Sequence, residues 1–187
     1  LGGLRSSAQM VSYELSMGLA IVGPILLSGS MSLGAIVDAP ARTWYVFMLP
    51  VSAVIFIITA LAEINRAPFD LPEAEQELTA GYHTEYSGMK FALFYLGEYI
   101  KMIAVSVIAT TLFFGGYRLF GLEELLPILG PFILFGKVLA FLLMMIWVRA
   151  TLPRFRYDKL MAFGWKVLLP LSLASVVVTA IVLLRVS

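Results

Sequence analysis

Five stretches of this chain carry almost nothing but apolar residues, running from Gln9 to Met31, Trp44 to Ile64, Met89 to Gly115, Pro131 to Thr151 and Met161 to Val186. Each is close to the ~20 residues that a helix needs to cross a bilayer core. The breakers fall between them: Asp38-Ala39-Pro40, Pro68 and Pro72, the segment from Pro127 to Pro131, and Pro153. Pro24, Pro50 and Pro170 fall inside the first, second and fifth stretches. Bends are predicted there, because neighbouring helices can take up the carbonyls that a proline leaves free. The pattern predicts an all-α, polytopic membrane helix bundle of about five transmembrane helices, a single membrane domain over residues 1–187.

Composition agrees. Hydrophobic residues make up 60% and charged residues 13% of the chain, against roughly 45–50% and about 25% in a soluble domain. That excludes a soluble enzyme and a disordered linker. The net charge of +1 comes with no basic run, so no nucleic-acid partner is expected. Cysteine is absent and His83 is the single histidine. No disulfide, thiolate zinc site or cysteine-ligated iron–sulfur cluster is therefore expected, and no pair of histidine haem ligands. Redox chemistry served by this chain would need a cofactor bound elsewhere or a diffusing carrier.

Charge placement adds orientation. Arg5, Arg66, Lys90, Arg149, Arg154, Arg156 and Lys159 collect on one side of the predicted spans, and Arg42, Arg118 and Arg185 on the other. Seven against three puts the first end of the segment and the connections after the second and fourth spans in the cytoplasm. The connection from Arg66 to Lys90 runs against that trend. Asp70, Glu73, Glu75, Glu77 and Glu85 there are five of the chain's twelve acids, and they face only two positive charges, a net of −3. Asp70-Leu71-Pro72-Glu73 reads as a helix start with a capping box, a role that a solvated surface helix would fill equally well.

Ionisable residues inside the spans mark pathways more often than packing. Glu98 falls about nine residues into its span, ~14 Å along the axis, with Lys101 near enough on the same helix to pair with it. Tyr95, Tyr99, Met102 and Ser106 continue a polarisable stripe. Glu14 lies among Ser12, Ser16 and Gly18, where it reads either as a hydrogen-bonded strut or as a proton site. Glu63 and Arg66 are spaced for an interfacial ion pair. Lys137 lies within the fourth span, where a lone ammonium is costly, whereas Lys166 is near enough to the interface to snorkel. Carboxylates at successive depths below an acidic loop support a proton or cation pathway and name no reaction.

The stretch from Ala62 to Glu75 (AEINRAPFDLPEAE), with GYHTEYSGMK over 81–90 and Leu96-Gly97-Glu98-Tyr99, closely resembles the H subunit of bacterial NADH:quinone oxidoreductases, the homologue of mitochondrial complex I subunit 1. LRSSAQ over 4–9, Ser12-Tyr13-Glu14 and WVRATLPRFRYD over 147–158 agree with it. The resemblance implies a segment with the last five of eight membrane helices, and Leu1 in place of Met fits a cut in a longer chain. It implies the membrane end of a quinone chamber at the junction with a peripheral arm, with quinone as substrate. Flavin and iron–sulfur clusters would then sit in partner subunits, and no cofactor, metal or catalytic residue in this one. Carried over by motif, Arg66, Asp70, Glu73, Glu75, Phe94, Tyr99, Arg149 and Arg154 would be quinone-binding. Glu14, Glu63, Glu98 and Lys137 would form the proton path. The implied partners are the other membrane and peripheral-arm subunits, quinone and lipid, in the bacterial cytoplasmic membrane. Lys101 departs from the neutral residue that is common after the Glu-Tyr pair. A homologous membrane component of a ferredoxin- or hydrogenase-linked complex is the alternative, favoured less by the intact PFDLPEAE and TEYSGMKF motifs. A stand-alone transporter would show paired, repeated broken helices, and none is evident.

Overall fold

The computed structural model describes residues 2–39, 44–65, 69, 86–119, 128–153 and 155–186. Its helices are α1 (Gly2–Ser28), α2 (Leu33–Asp38), α3 (Tyr45–Met48), α4 (Pro50–Glu63), α5 (Met89–Phe113), α6 (Leu129–Thr151), α7 (Tyr157–Phe163) and α8 (Leu169–Val186), with a π turn over Gly164–Leu168 joining the last two. Among the described residues four helices are long and apolar enough to cross a membrane: Ser6–Ser28, Met89–Phe113, Leu129–Thr151 and the continuous run Tyr157–Arg185. The chain is a multi-pass, all-α membrane protein.

The second predicted span is the exception. It is split into α3 and α4 at Leu49, whose φ of −126° and ψ of 59° are not helical. The cause is Pro50, which disfavours the helical region for the residue before it and begins α4 as its first residue. α4 has 14 residues, about 21 Å of helix, short of a ~30 Å hydrocarbon core. It ends at Glu63, and Asn65, just past the cap residue Ile64, takes a φ of +55°, the left-handed stop that asparagine tolerates.

Pro170 acts differently. Its missing N–H removes a helical bond to residue 166, and the preceding turn widens so that the Leu169 N–H reaches the Gly164 carbonyl instead. The helix continues through the proline as a π turn, which is how long helices absorb such a residue.

α1 packs chiefly on α4 and α8, which also touch each other, while α5 and α6 form a second pair that meets these helices mainly through α2 and α4. The buried seam of α1 is Gln9, Ser12, Tyr13, Ser16, Ala20, Gly23 and Pro24, spaced three or four apart. Its outer face carries Leu4, Val11, Leu15 and Leu26. Small and hydroxylated residues inside and large apolar residues outside is the arrangement lipid favours, because tails leave no hydrophobic drive between helices and close backbone approach must supply the packing. Gly164 shows how close. A Cβ built there would lie 2.5 Å from the Ser12 Oγ. Hydroxyls on the other seams bond mostly back to their own helices, as Thr59 does to Ile55 (2.8 Å) and Ser106 to Met102 (2.8 Å), while Ser52 and Ser175 meet across α4 and α8 at 3.2 Å.

Candidate functional site: an acid and tyrosine cavity between α4, α5 and α6

Where α4 ends and α5 passes it, α6 leaves a cavity of about 380 Å³ lined by Leu61, Ile64, Tyr99, Met102, Ile103, Leu142, Met145, Ile146 and Arg149. Its walls are mostly aliphatic and thioether, and its polar groups are a phenol from α5 and a guanidinium from the last turn of α6. Such a space suits a flat or extended apolar molecule with a polar head, held by a few convergent polar groups. The structure thus brings together Tyr99 and Arg149, which lie 50 residues apart in the chain.

Glu63 and Lys101 lie in the chain between lining residues, Leu61 and Ile64 on α4 and Tyr99 and Met102 on α5, and pair across the same two helices. The Lys101 Nζ is 2.6 Å from the Glu63 Oε1, joining α4 to α5, with the glutamate side chain 13% and the lysine 36% exposed. The ion pair that Lys101 makes among the described residues is therefore across the helices, to Glu63, rather than the one with Glu98 that sequence spacing suggested. The second carboxylate oxygen of Glu63 is buried and has no hydrogen-bond partner among the described residues. Glu98 lies one turn before Lys101 on α5, half-buried, with its Oε2 out of contact with solvent.

Other expected residues are placed elsewhere. Glu14 lies on the exposed side of α1, off the Ser12–Tyr13–Ser16 seam. Phe94 is on a different face of α5 from Tyr99, stacked edge-on against Tyr86 at 4.9 Å and lining a separate cavity of about 410 Å³ with Tyr86, Lys90 and Leu93. Lys137 is far along α6 from the acids. Its ammonium donates to the carbonyl oxygens of Phe114 (2.7 Å), Gly116 (2.9 Å) and Arg118 (2.5 Å), and sits 4.7 Å from the centre of the Trp44 ring. With three carbonyl oxygens gathered on its ammonium, the lysine ties down the end of α5. The turn it holds needs Gly115 and Gly116, both at positive φ, with Val37 2.9 Å from where a Gly116 Cβ would lie. Arg66, Asp70, Glu73, Glu75 and Arg154, and with them the acidic connection, lie outside the described residues.

A sequence model of the NADH dehydrogenase family matches residues 1–180. The chain belongs to the NADH dehydrogenase family. It is 56% identical over 181 residues to the NADH-quinone oxidoreductase H subunit of Protochlamydia amoebophila (strain UWE25), covering 96% of this chain and 54% of that protein. It is 52% identical over 199 residues to NADH-quinone oxidoreductase subunit 8 of Rhodothermus marinus, with 97% of this chain and 58% of that one covered. The NADH-quinone oxidoreductase H subunit of Rhodospirillum centenum (strain ATCC 51521 / SW) is 53% identical over 184 residues, with 98% and 55% covered. The chain spans about half the length of these relatives.

In this NADH dehydrogenase family chain a further set of residues comes together that spacing did not single out. Gln9, fully buried, donates from its Nε2 to the carbonyl oxygens of Ala62 (2.8 Å) and Phe69 (3.0 Å), fixing the chain just past α4 onto α1. Tyr13, Phe69, Phe155, Lys159, Leu160 and Phe163 then enclose an apolar cavity of about 230 Å³. The signal for both was the polar, small-residue seam of α1, which a search for charged residues passes over. Among the described residues no group of three or more His, Asp or Glu is placed to hold a metal ion.

Proposed function

We propose that this chain is part of the membrane subunit of a proton-translocating NADH:quinone oxidoreductase, a subunit without a redox centre of its own. In this reading it walls the membrane end of the quinone chamber and starts an acidic path that couples quinone reduction to proton movement. The observation that carries the reading is the cavity lined by Tyr99 from α5 and Arg149 from α6, between helices of which two are joined by the Glu63–Lys101 pair. A quinone head needs hydrogen-bond donors at its carbonyl oxygens, and a phenol and a guanidinium supply them. In this reading Glu63, next in the chain to the lining residue Ile64, supplies a proton store for the reduced product.

Around that centre, Arg66, Asp70, Glu73, Glu75 and Arg154 belong to the chamber on the strength of the motif, with Phe94 on its outer approach. Glu63 and Glu98 begin the proton path. Glu14 joins it where a partner subunit covers the exposed side of α1, since a bare carboxylate facing lipid is costly. Lys137 is assigned an anchoring role instead, because a relay through it would have to break three carbonyl bonds. Flavin and iron–sulfur clusters belong to peripheral-arm partners. The bilayer is the bacterial cytoplasmic membrane, with the Glu63 end of α4 on the cytoplasmic side as the Lys and Arg distribution requires.

Full-length subunit variants in the assembled complex test the reading. Tyr99→Leu and Arg149→Met should each raise the KM for quinone by about three- to tenfold, the loss of a binding contact. NADH oxidation by a hydrophilic artificial acceptor should stay unchanged. Unaltered quinone kinetics in both variants would remove the cavity from the quinone route.

A further inference from the structure

We propose that Lys101 is a positioning residue that serves Glu63 and Glu98 as one shared countercharge, and through it the charge on one acid governs the other. The inference rests on the quinone-site reading above and adds how its two acids communicate.

Four observations carry it. The Lys101 ammonium holds the Glu63 carboxylate across the α4–α5 seam at 2.6 Å. Glu98 lies three residues earlier on α5, on the neighbouring position of the same helical face, where side chains of this length meet. Both acids place one carboxylate oxygen out of contact with solvent, Oε2 in each case. Residues on either side of the pair, Leu61 and Ile64 on α4 and Tyr99 and Met102 on α5, line the cavity. The cation thus sits on a helix that lines the cavity, with one acid in its grip and a second three residues before it on the same helix.

The physical consequence is an exchange of partners. While Glu63 is ionised, breaking its pair would strand a buried charge, so the ammonium stays. When Glu63 takes up a proton at its carboxylate, the attraction falls away, and Glu98 becomes the nearer negative charge on the lysine's own helix. The flexible four-carbon stem of lysine lets the ammonium follow it. Lys101 keeps its own three hydrogens throughout. Only its position changes, so a proton arriving at Glu63 stabilises negative charge on Glu98 without passing between them. Whatever other contacts Glu98 makes, the lysine adds a positive charge that depends on the state of Glu63.

A double-mutant cycle in two backgrounds tests this in the assembled complex, reading kcat and KM for quinone together with NADH oxidation by a hydrophilic acceptor. Glu63→Gln and Glu98→Gln each lower kcat. In the Lys101 background their effects should be non-additive by about fivefold or more, the mark of coupled residues. In the Lys101→Met background the coupling should vanish, to within about twofold, and Lys101→Arg should restore it. Coupling that persists without the lysine, or additive effects with it, overturns the proposal. Should Lys101→Met fail to assemble, Glu63→Gln/Lys101→Met carries the test, since it strands no carboxylate: it assembles if the pair is the reason, and its failure to assemble overturns the proposal. If Tyr99→Leu and Arg149→Met alter quinone KM while the cycle shows no coupling, this inference falls and the quinone-site reading stands. If those two are silent, the quinone-site reading itself falls.

Discussion

The Tyr13 phenol donates its hydrogen to the Leu160 carbonyl oxygen at 2.9 Å, across 147 residues of chain. With it α1 is tied to the start of the last spanning helix, and the two close one wall of the aromatic cavity that also holds Phe69 and Phe155. The bond is buried and links helices that have no connection near each other in sequence.

Tyr13→Phe should lower stability modestly, by roughly 0.5–1.5 kcal/mol for one net hydrogen bond, with the lower end favoured between membrane helices. The Leu160 carbonyl keeps a second donor, the Gly164 N–H, so it is not left unsatisfied. Unfolding of the purified full-length subunit in mixed detergent measures the shift. A loss several times larger would mean that the ring, and not the bond, holds the two helices.

Gly164→Ala should cost more, about 1–3 kcal/mol for over-packing. The new Cβ would meet the Ser12 Oγ at 2.5 Å and the Tyr13 ring at 3.4 Å, so α1 must move away from the π turn. The Ser12 hydroxyl is buried and has no hydrogen-bond partner among the described residues. Ser12→Ala should therefore be nearly neutral alone and should recover part of the loss in the double variant. Equal losses with and without Ser12→Ala in the same unfolding assay would show the strain to be elsewhere.

Lys137→Met should destabilise the turn after α5 strongly, since it strips the donor from three carbonyl oxygens, each worth about 1–3 kcal/mol when left buried and unmet. Proteolysis of the full-length subunit near Gly115-Gly116 should accelerate while quinone KM stays within about twofold, the pattern of a lost anchor rather than a lost contact. A changed KM with normal protease resistance would return Lys137 to the proton route.

On the same side, Asp38 accepts a hydrogen bond from the Tyr117 hydroxyl and one from the Arg118 Nη2 at 3.3 Å, tying α2 to the turn after α5. The bond to Asp38 holds the Tyr117 phenol above its ordinary value of 10.0, with burial and the carboxylate's charge adding to it and Arg118 opposing. The folded chain therefore grips this proton more tightly than the unfolded one. Its contribution is whole below pH 10.0 and is lost as the pH climbs through the higher folded value. The site is partly exposed, so the effect is a few tenths of a kcal/mol. The difference in Tm between the native subunit and Tyr117→Phe, measured from pH 8 to about 11, should shrink towards the alkaline end.

The helix bundle was legible because lipid imposes a simple rule: long apolar runs must become helices that satisfy their own backbone. The runs beginning at Met89 and ending at Thr151 and Val186 have matching helix ends, and membership of the family was carried by motifs local in sequence. Even the break at Leu49 was half legible in Pro50, although whether a proline bends, splits or widens a helix depends on what packs around it. Pro24 stays within α1, Pro50 splits its span and Pro170 widens a turn.

Partnership was not legible. Lys101 faces two acids at workable spacing, and its hand on Glu63 is set by how α4 and α5 cross, a relation between residues 38 positions apart. Glu14 was placed among small residues in the chain, yet one step along the helix carries it about 100° off their seam onto the exposed side. Lys137 looked like a charge adrift in lipid until the turn after α5 brought three carbonyl oxygens to it. Hydrophobic periodicity is a one-dimensional property that solvent reads directly from the chain. The partner of a buried charge is chosen by distances of a few ångströms between helices, and only their packing fixes those.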